Sequence, residues 1–228
     1  SLLIIVLFFQ IKSRRYVPGI YWGVVVLISI VGTLITDNLT DNFGVPLETT
    51  TIVFSIALAA IFAAWYASEK TLSVHTIYTM RREAFYWLAI LFTFALGTAA
   101  GDLTAESLNL GYAVSAIIFG VLIATIAVAH LHFKLNAVLA FWIAYILTRP
   151  LGASLGDYLS QPSGNGGLGL GTVLTSALFL STILATVIYL TITKKDTVTK
   201  KATITPMVET RNWKKEQDEW ATSFQRKY

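Results

Sequence analysis

Three aspartates and one arginine are the residues able to do chemistry in a chain otherwise built from apolar side chains. Asp37, Asp102 and Asp157 each stand fifteen residues after a tryptophan: Trp22, Trp87 and Trp142. In a helix that distance is about 22 Å, so the three carboxylates reach a common depth. Carboxylates at one depth suit a hard cation, which takes oxygen ligands, or a proton relay. The plainer reading is that they cap helix ends and are solvated. Arg149 stands seven residues after Trp142, about 10 Å along a helix, where the matching positions hold the uncharged Ser29 and Phe94. An arginine at that depth in a membrane costs at least about 2.5–3.5 kcal/mol unless it faces protein or water. It therefore calls for a partner, with the repeat aspartates or a backbone carbonyl as candidates. It either gates the carboxylates by competing for one of them, serves an anion, or locks two repeats together as a buried ion pair.

These residues have to be positioned by helices in a membrane. The chain of 228 residues is 55% hydrophobic and only 13% charged, with a mean hydropathy of +0.65. A soluble domain carries about a quarter charged residues. Apolar segments fall at 1–11, 20–36, 51–67, 85–101, 111–133, 137–155 and 171–193. All but the first approach or exceed the length that crosses about 30 Å of hydrocarbon. The fold class is all-α: a polytopic helical bundle with about seven hydrophobic segments. No ten-residue alternation argues for a membrane barrel.

The segments repeat. "YWGVVVLISIVGTLITD" (21–37), "YWLAILFTFALGTAAGD" (86–102) and "FWIAYILTRPLGASLGD" (141–157) each place Gly ten residues after the Trp, at Gly32, Gly97 and Gly152. Each unit pairs such a lead helix with a plainer return helix, so every unit enters the membrane in the same direction. The result is parallel repeats about an axis near the membrane normal, unlike inverted-repeat transporters. Repeats run over about 20–68, 85–133 and 137–193, with 1–19 as the remnant of an earlier one. Eight helices in four hairpins are expected of the complete protein. The small residues near each glycine read as close helix packing, with path-lining carbonyls as the alternative.

Orientation follows from charge. With the basic loop after the first segment placed inside, 16 of the 17 Lys/Arg residues fall on the cytoplasmic side, Arg149 being the exception. That is the positive-inside pattern, and it makes the net charge of +4 a matter of topology rather than nucleic-acid binding. The expected location is the cell membrane, multi-pass, with residues 194–228 as a cytoplasmic tail. Trp213, Trp220 and Phe224 share one helical face in that tail, flanked by lysines and arginines. Such a segment lies on an anionic leaflet or docks on a partner membrane subunit or a second copy.

The sequence "FALGTAAGDLTAESLNLGY", together with "FWIAYILTRPLGASLGD" and the three Trp-to-Asp repeats, resembles a bacterial integral membrane protein family with a four-fold repeat of unknown function. That family has two transmembrane helices and a Trp per repeat. The resemblance covers about residues 10–193, lacks the leading helix of the first repeat, and implies a fold without a reaction.

Other chemistry finds little support. No HExxH, Walker A, GxSxG or dinucleotide fingerprint occurs, so no enzyme and no cofactor is expected. The absence of cysteine excludes disulfides and thiolate chemistry. His130 and His132 point about 200° apart on a helix, and His75 lies in a polar loop. Whether either site holds a metal is left open. The run "GNGGLGLG" reads as a flexible outer loop, and Pro150 with Gly152 and Gly156 suggests a helix break. The expected function is transport or channelling of a small cation or proton. The alternative is a non-transporting scaffold or accessory subunit.

Overall fold

The computed structural model describes residues 2–13, 17–74, 77 and 79–193. It is helical throughout, with seven α-helices and no strand among the described residues. They are α1 (Leu2–Ser13), α2 (Pro18–Asp37), α3 (Leu47–Glu69), α4 (Met80–Asp102), α5 (Tyr112–Phe133), α6 (Ala137–Ser160) and α7 (Gly171–Thr193). Six of them, α2 to α7, are long and apolar enough to cross a membrane.

Local chemistry sets the helix ends. Pro18 opens α2, where a missing N–H costs nothing. The Thr79 hydroxyl accepts from the Arg82 N–H at the start of α4. The Asn136 side chain accepts from Val138 and Leu139 at the start of α6. Lys70 and Lys134 end α3 and α5 in the left-handed conformation at φ 55°, which turns the chain back within a few residues.

The lead helices α2, α4 and α6 pack in a row, α2 on α4 and α4 on α6. Each return helix packs on the lead helix of the following repeat: α3 on α4 and α5 on α6, with α1 against α2. The packed unit is therefore offset by one helix from the sequence repeat. On this rule α7 would pack on a lead helix beyond the third, and it buries only Thr175.

The expected break at Pro150 does not occur. Pro150 is buried inside an unbroken α6, which α4 and α5 flank. Packing on both sides holds the segment helical despite the lost hydrogen bond. The glycine-rich run after α6 is also tied down. Leu168 N–H donates to Tyr158 O at 2.7 Å and Leu170 N–H to Leu159 O at 3.0 Å.

Candidate functional site

The buried core has two chemically different ends. The tryptophan end is aromatic: Trp65, Tyr86, Trp87 and Trp142 cluster with Val24, Ile28 and Ile90. The Trp142 indole donates to Leu72 O at 2.8 Å, which ties the loop after α3 to α6. Arg82 and Glu69 form an ion pair of 2.7 Å at this end. The opposite end buries hydroxyls instead: Thr36, Thr50, Ser115, Ser154 and Thr175.

Asp37, Asp102 and Asp157 lie at this hydroxyl-rich end, each half-buried. Their charges act on one another. Asp157, Glu106, Asp37 and Asp41 are the acidic groups near enough to act on Asp102. Glu106 and Asp37 are near enough to act on Asp157. Among the described residues no basic side chain lies within 4.0 Å of any of the three. No three His, Asp or Glu side chains among the described residues are arranged to hold a metal ion by themselves.

Two further carboxylates of this acidic end are not among the residues that the Trp-to-Asp spacing singles out. After Asp37 and Asp102 the helix widens into a π turn, Asn38–Asn42 and Leu103–Ser107, a feature often found at functional positions. Each turn carries a second carboxylate four residues after the first, Asp41 and Glu106. The Tyr112 hydroxyl donates to Glu106 Oε1 at 3.1 Å. The signal was present as Asp-x-x-x-Asp and Asp-x-x-x-Glu at one repeat position. The third repeat has Gln161 there and no π turn.

Equivalent residues of the first two lead helices, α2 and α4, meet each other. The hydroxyls of Tyr21 and Tyr86, each one before its Trp, are 2.6 Å apart. Those of Thr33 and Thr98, each eleven after it, are 3.1 Å apart. The third repeat has Phe141 and Ala153 at these positions. The repeat glycines allow the approach. A Cβ on Gly32 would fall 2.6 Å from Phe94 Cβ, and one on Gly97 would collide with Arg149. Gly152 has nothing within 4 Å.

Arg149 is not paired with an aspartate. Its guanidinium carbon lies 4.0 Å from the Phe94 ring centre and 4.3 Å from that of Tyr145. The Nε is buried without an acceptor. Cation–π attraction, worth about 2 kcal/mol or more when desolvated, takes the place of the expected ion pair. The residue is thus separate from the carboxylates, eight positions or about 12 Å along α6 from Asp157.

Of the histidines, His130 and His132 sit in the last turn of α5, and His130 Nδ1 lies 2.8 Å from Leu135 O. His75, Trp213, Trp220 and Phe224 lie outside the described residues.

Residues 20–71, 85–135 and 140–196 each match the pattern of the Repeat of Unknown Function (DUF347). No curated protein and no solved structure matches the chain.

Proposed function

We propose that this chain, which belongs to the Repeat of Unknown Function (DUF347) family, moves a small cation or proton across the bacterial cell membrane. The carrying observation is the convergence of Asp37, Asp102 and Asp157 on one hydroxyl-rich end of the lead-helix bundle, with no basic side chain in contact. A negative, oxygen-lined mouth concentrates cations, and intramembrane carboxylates are the usual parts of ion and proton paths. Arg149, set deeper on the same helix, is a positive charge that a cation must pass. The basic residues outside the spans support a cytoplasmic aromatic end, with the acidic end outside.

Four-fold closure belongs to the same reading. Gly32 packs on Phe94 and Gly97 on Arg149, which are the same repeat position in the next lead helix. A fourth lead helix beyond α6 would meet Gly152 and give α7 the partner that α3 and α5 have.

The test is ion flux into liposomes holding wild type, Asp102→Asn or Arg149→Gln. Flux in wild type that Asp102→Asn abolishes supports the reading. Equal flux in all three removes these residues from any mechanism. The second reading, a scaffold or accessory subunit, draws on the largely unpacked α7. It gains if wild type carries no ion and co-purifies with another membrane chain.

A further inference from the structure

Hydroxyls on these helices normally satisfy themselves on a backbone carbonyl one turn back. Thr50 does so on Pro46 O at 3.1 Å, Ser115 on Gly111 O at 2.8 Å, and Thr104 on Ala100 O at 2.7 Å. Thr36 reaches across to Ala95 O at 2.9 Å. Ser154 does not. It is 1% exposed and its Oγ has no partner. Thr51 and Thr175, in the first turns of α3 and α7 at the same end, also lack one. A buried polar group without a partner costs about 1–3 kcal/mol, so such a group needs an explanation.

The place of Ser154 supplies one. It stands three residues before Asp157 and so shares its helix face. Across the seam is Gly101, the residue before Asp102. A Cβ there would meet Ala153 Cβ at 3.2 Å, Pro150 O at 3.6 Å and Ser154 Oγ at 3.7 Å. The seam between α4 and α6 therefore brings together an unused hydroxyl, a carbonyl and, within one turn along the two helices, the carboxylate-bearing residues Asp102 and Asp157.

We infer that Asp102, Asp157 and the Ser154 hydroxyl bind a small alkali cation at this seam. The donors are oxygens only. The chain has no cysteine, and no cluster of three His, Asp or Glu forms among the described residues. Transition metals would lack their nitrogen and sulfur ligands. Calcium takes six to eight oxygens, and magnesium a near-ideal octahedron. Two carboxylates, a hydroxyl and a carbonyl fit a cation of lower charge that tolerates a sparse shell. The Oγ lone pairs are satisfied when the ion is present. The inference rests on the cation reading of the acidic end and narrows it to repeats two and three.

The probe is sodium itself, titrated into the purified full-length chain in detergent against choline chloride at equal ionic strength. Wild type should bind sodium and gain thermal stability with it. Ser154→Ala, and the similarly sized Ser154→Cys, should weaken binding about tenfold. Asp157→Asn should abolish it, while Asp37→Asn should stay within about twofold. If Ser154→Ala fails to fold, Ser154→Cys carries the test. Sodium affinity unchanged in a folded Ser154 variant overturns the site, as does a choline response equal to that of sodium. The two readings fail separately. Sodium binding without flux in liposomes leaves the site and removes transport. Proton flux lost in Asp102→Asn without sodium binding leaves transport and removes this site.

Discussion

Gly97 of α4 lies directly against the backbone of Arg149 in α6. A Cβ at Gly97 would overlap Arg149 Cβ and come within 3.0 Å of its carbonyl carbon. The neighbour is backbone in a continuous helix and has no room to yield. Gly97→Ala should therefore lower stability by about 1–3 kcal/mol through overpacking, more than the roughly 0.5–1 kcal/mol that alanine gains over glycine in a helix. Gly120→Ala is the control, since nothing lies within 4 Å of Gly120. Thermal melts in one detergent compare them, and a Gly97→Ala midpoint at or above that of Gly120→Ala would refute the close-packing account.

The rings of Phe94 and Tyr145 hold the Arg149 charge where no carboxylate does. Lysine keeps the charge but lacks the flat guanidinium that lies against rings. Arg149→Lys should thus lower stability by about 0.5–2 kcal/mol. Arg149→Gln should raise cation flux, because it removes the positive charge on the path. Flux that falls in Arg149→Gln would show the arginine to be required for transport rather than a barrier to it.

How much of this was legible in the sequence divides along physical lines. Segment positions were readable because length and hydropathy are local: the segment read at 171–193 matches α7 (Gly171–Thr193) and that at 111–133 matches α5 (Tyr112–Phe133) to one residue, while α2, α3, α4 and α6 are longer than read by about one to two turns. The repeat was readable because Trp, Gly and Asp recur at fixed offsets. The offset packing of return helices was not, since nothing in one helix names its neighbour. Pro150 misled because a proline removes one bond locally, while α4 and α5 supply the compensation from elsewhere. Arg149 was correctly singled out as needing a partner. Its partner proved aromatic because Phe94, its own repeat equivalent, faces it from the adjacent helix. Asp41 and Glu106 fell on the acidic side by charge but were not chosen as site residues, because the third repeat has Gln161 at their position and so breaks the pattern.

The Tyr21 and Tyr86 hydroxyls, 2.6 Å apart, join the first two lead helices at their aromatic end. Tyr86 is 8% exposed, so the contact is shielded from competing water. Each single change to phenylalanine should cost about 0.5–1.5 kcal/mol. The double change should cost clearly less than the sum of the two, because the shared contact can be lost only once. A double-mutant cycle on unfolding free energies reads the coupling, and strict additivity would mean the contact contributes nothing.

Gly152 offers the sharpest test of four-fold closure. Its counterparts Gly32 and Gly97 are each pressed against the next lead helix, whereas Gly152 has nothing within 4 Å. If α6 ends the row, alanine at this position meets open space or lipid, and helix propensity makes Gly152→Ala neutral or stabilising by up to about 1 kcal/mol. If a fourth lead helix packs there, Gly152→Ala should cost about 1–3 kcal/mol, as Gly97→Ala does. Closure predicts the second result. The measurement is the unfolding midpoint of Gly152→Ala beside those of Gly97→Ala and Gly120→Ala in native-like lipid. A Gly152→Ala protein that melts with the Gly120→Ala control would leave the row of lead helices at three.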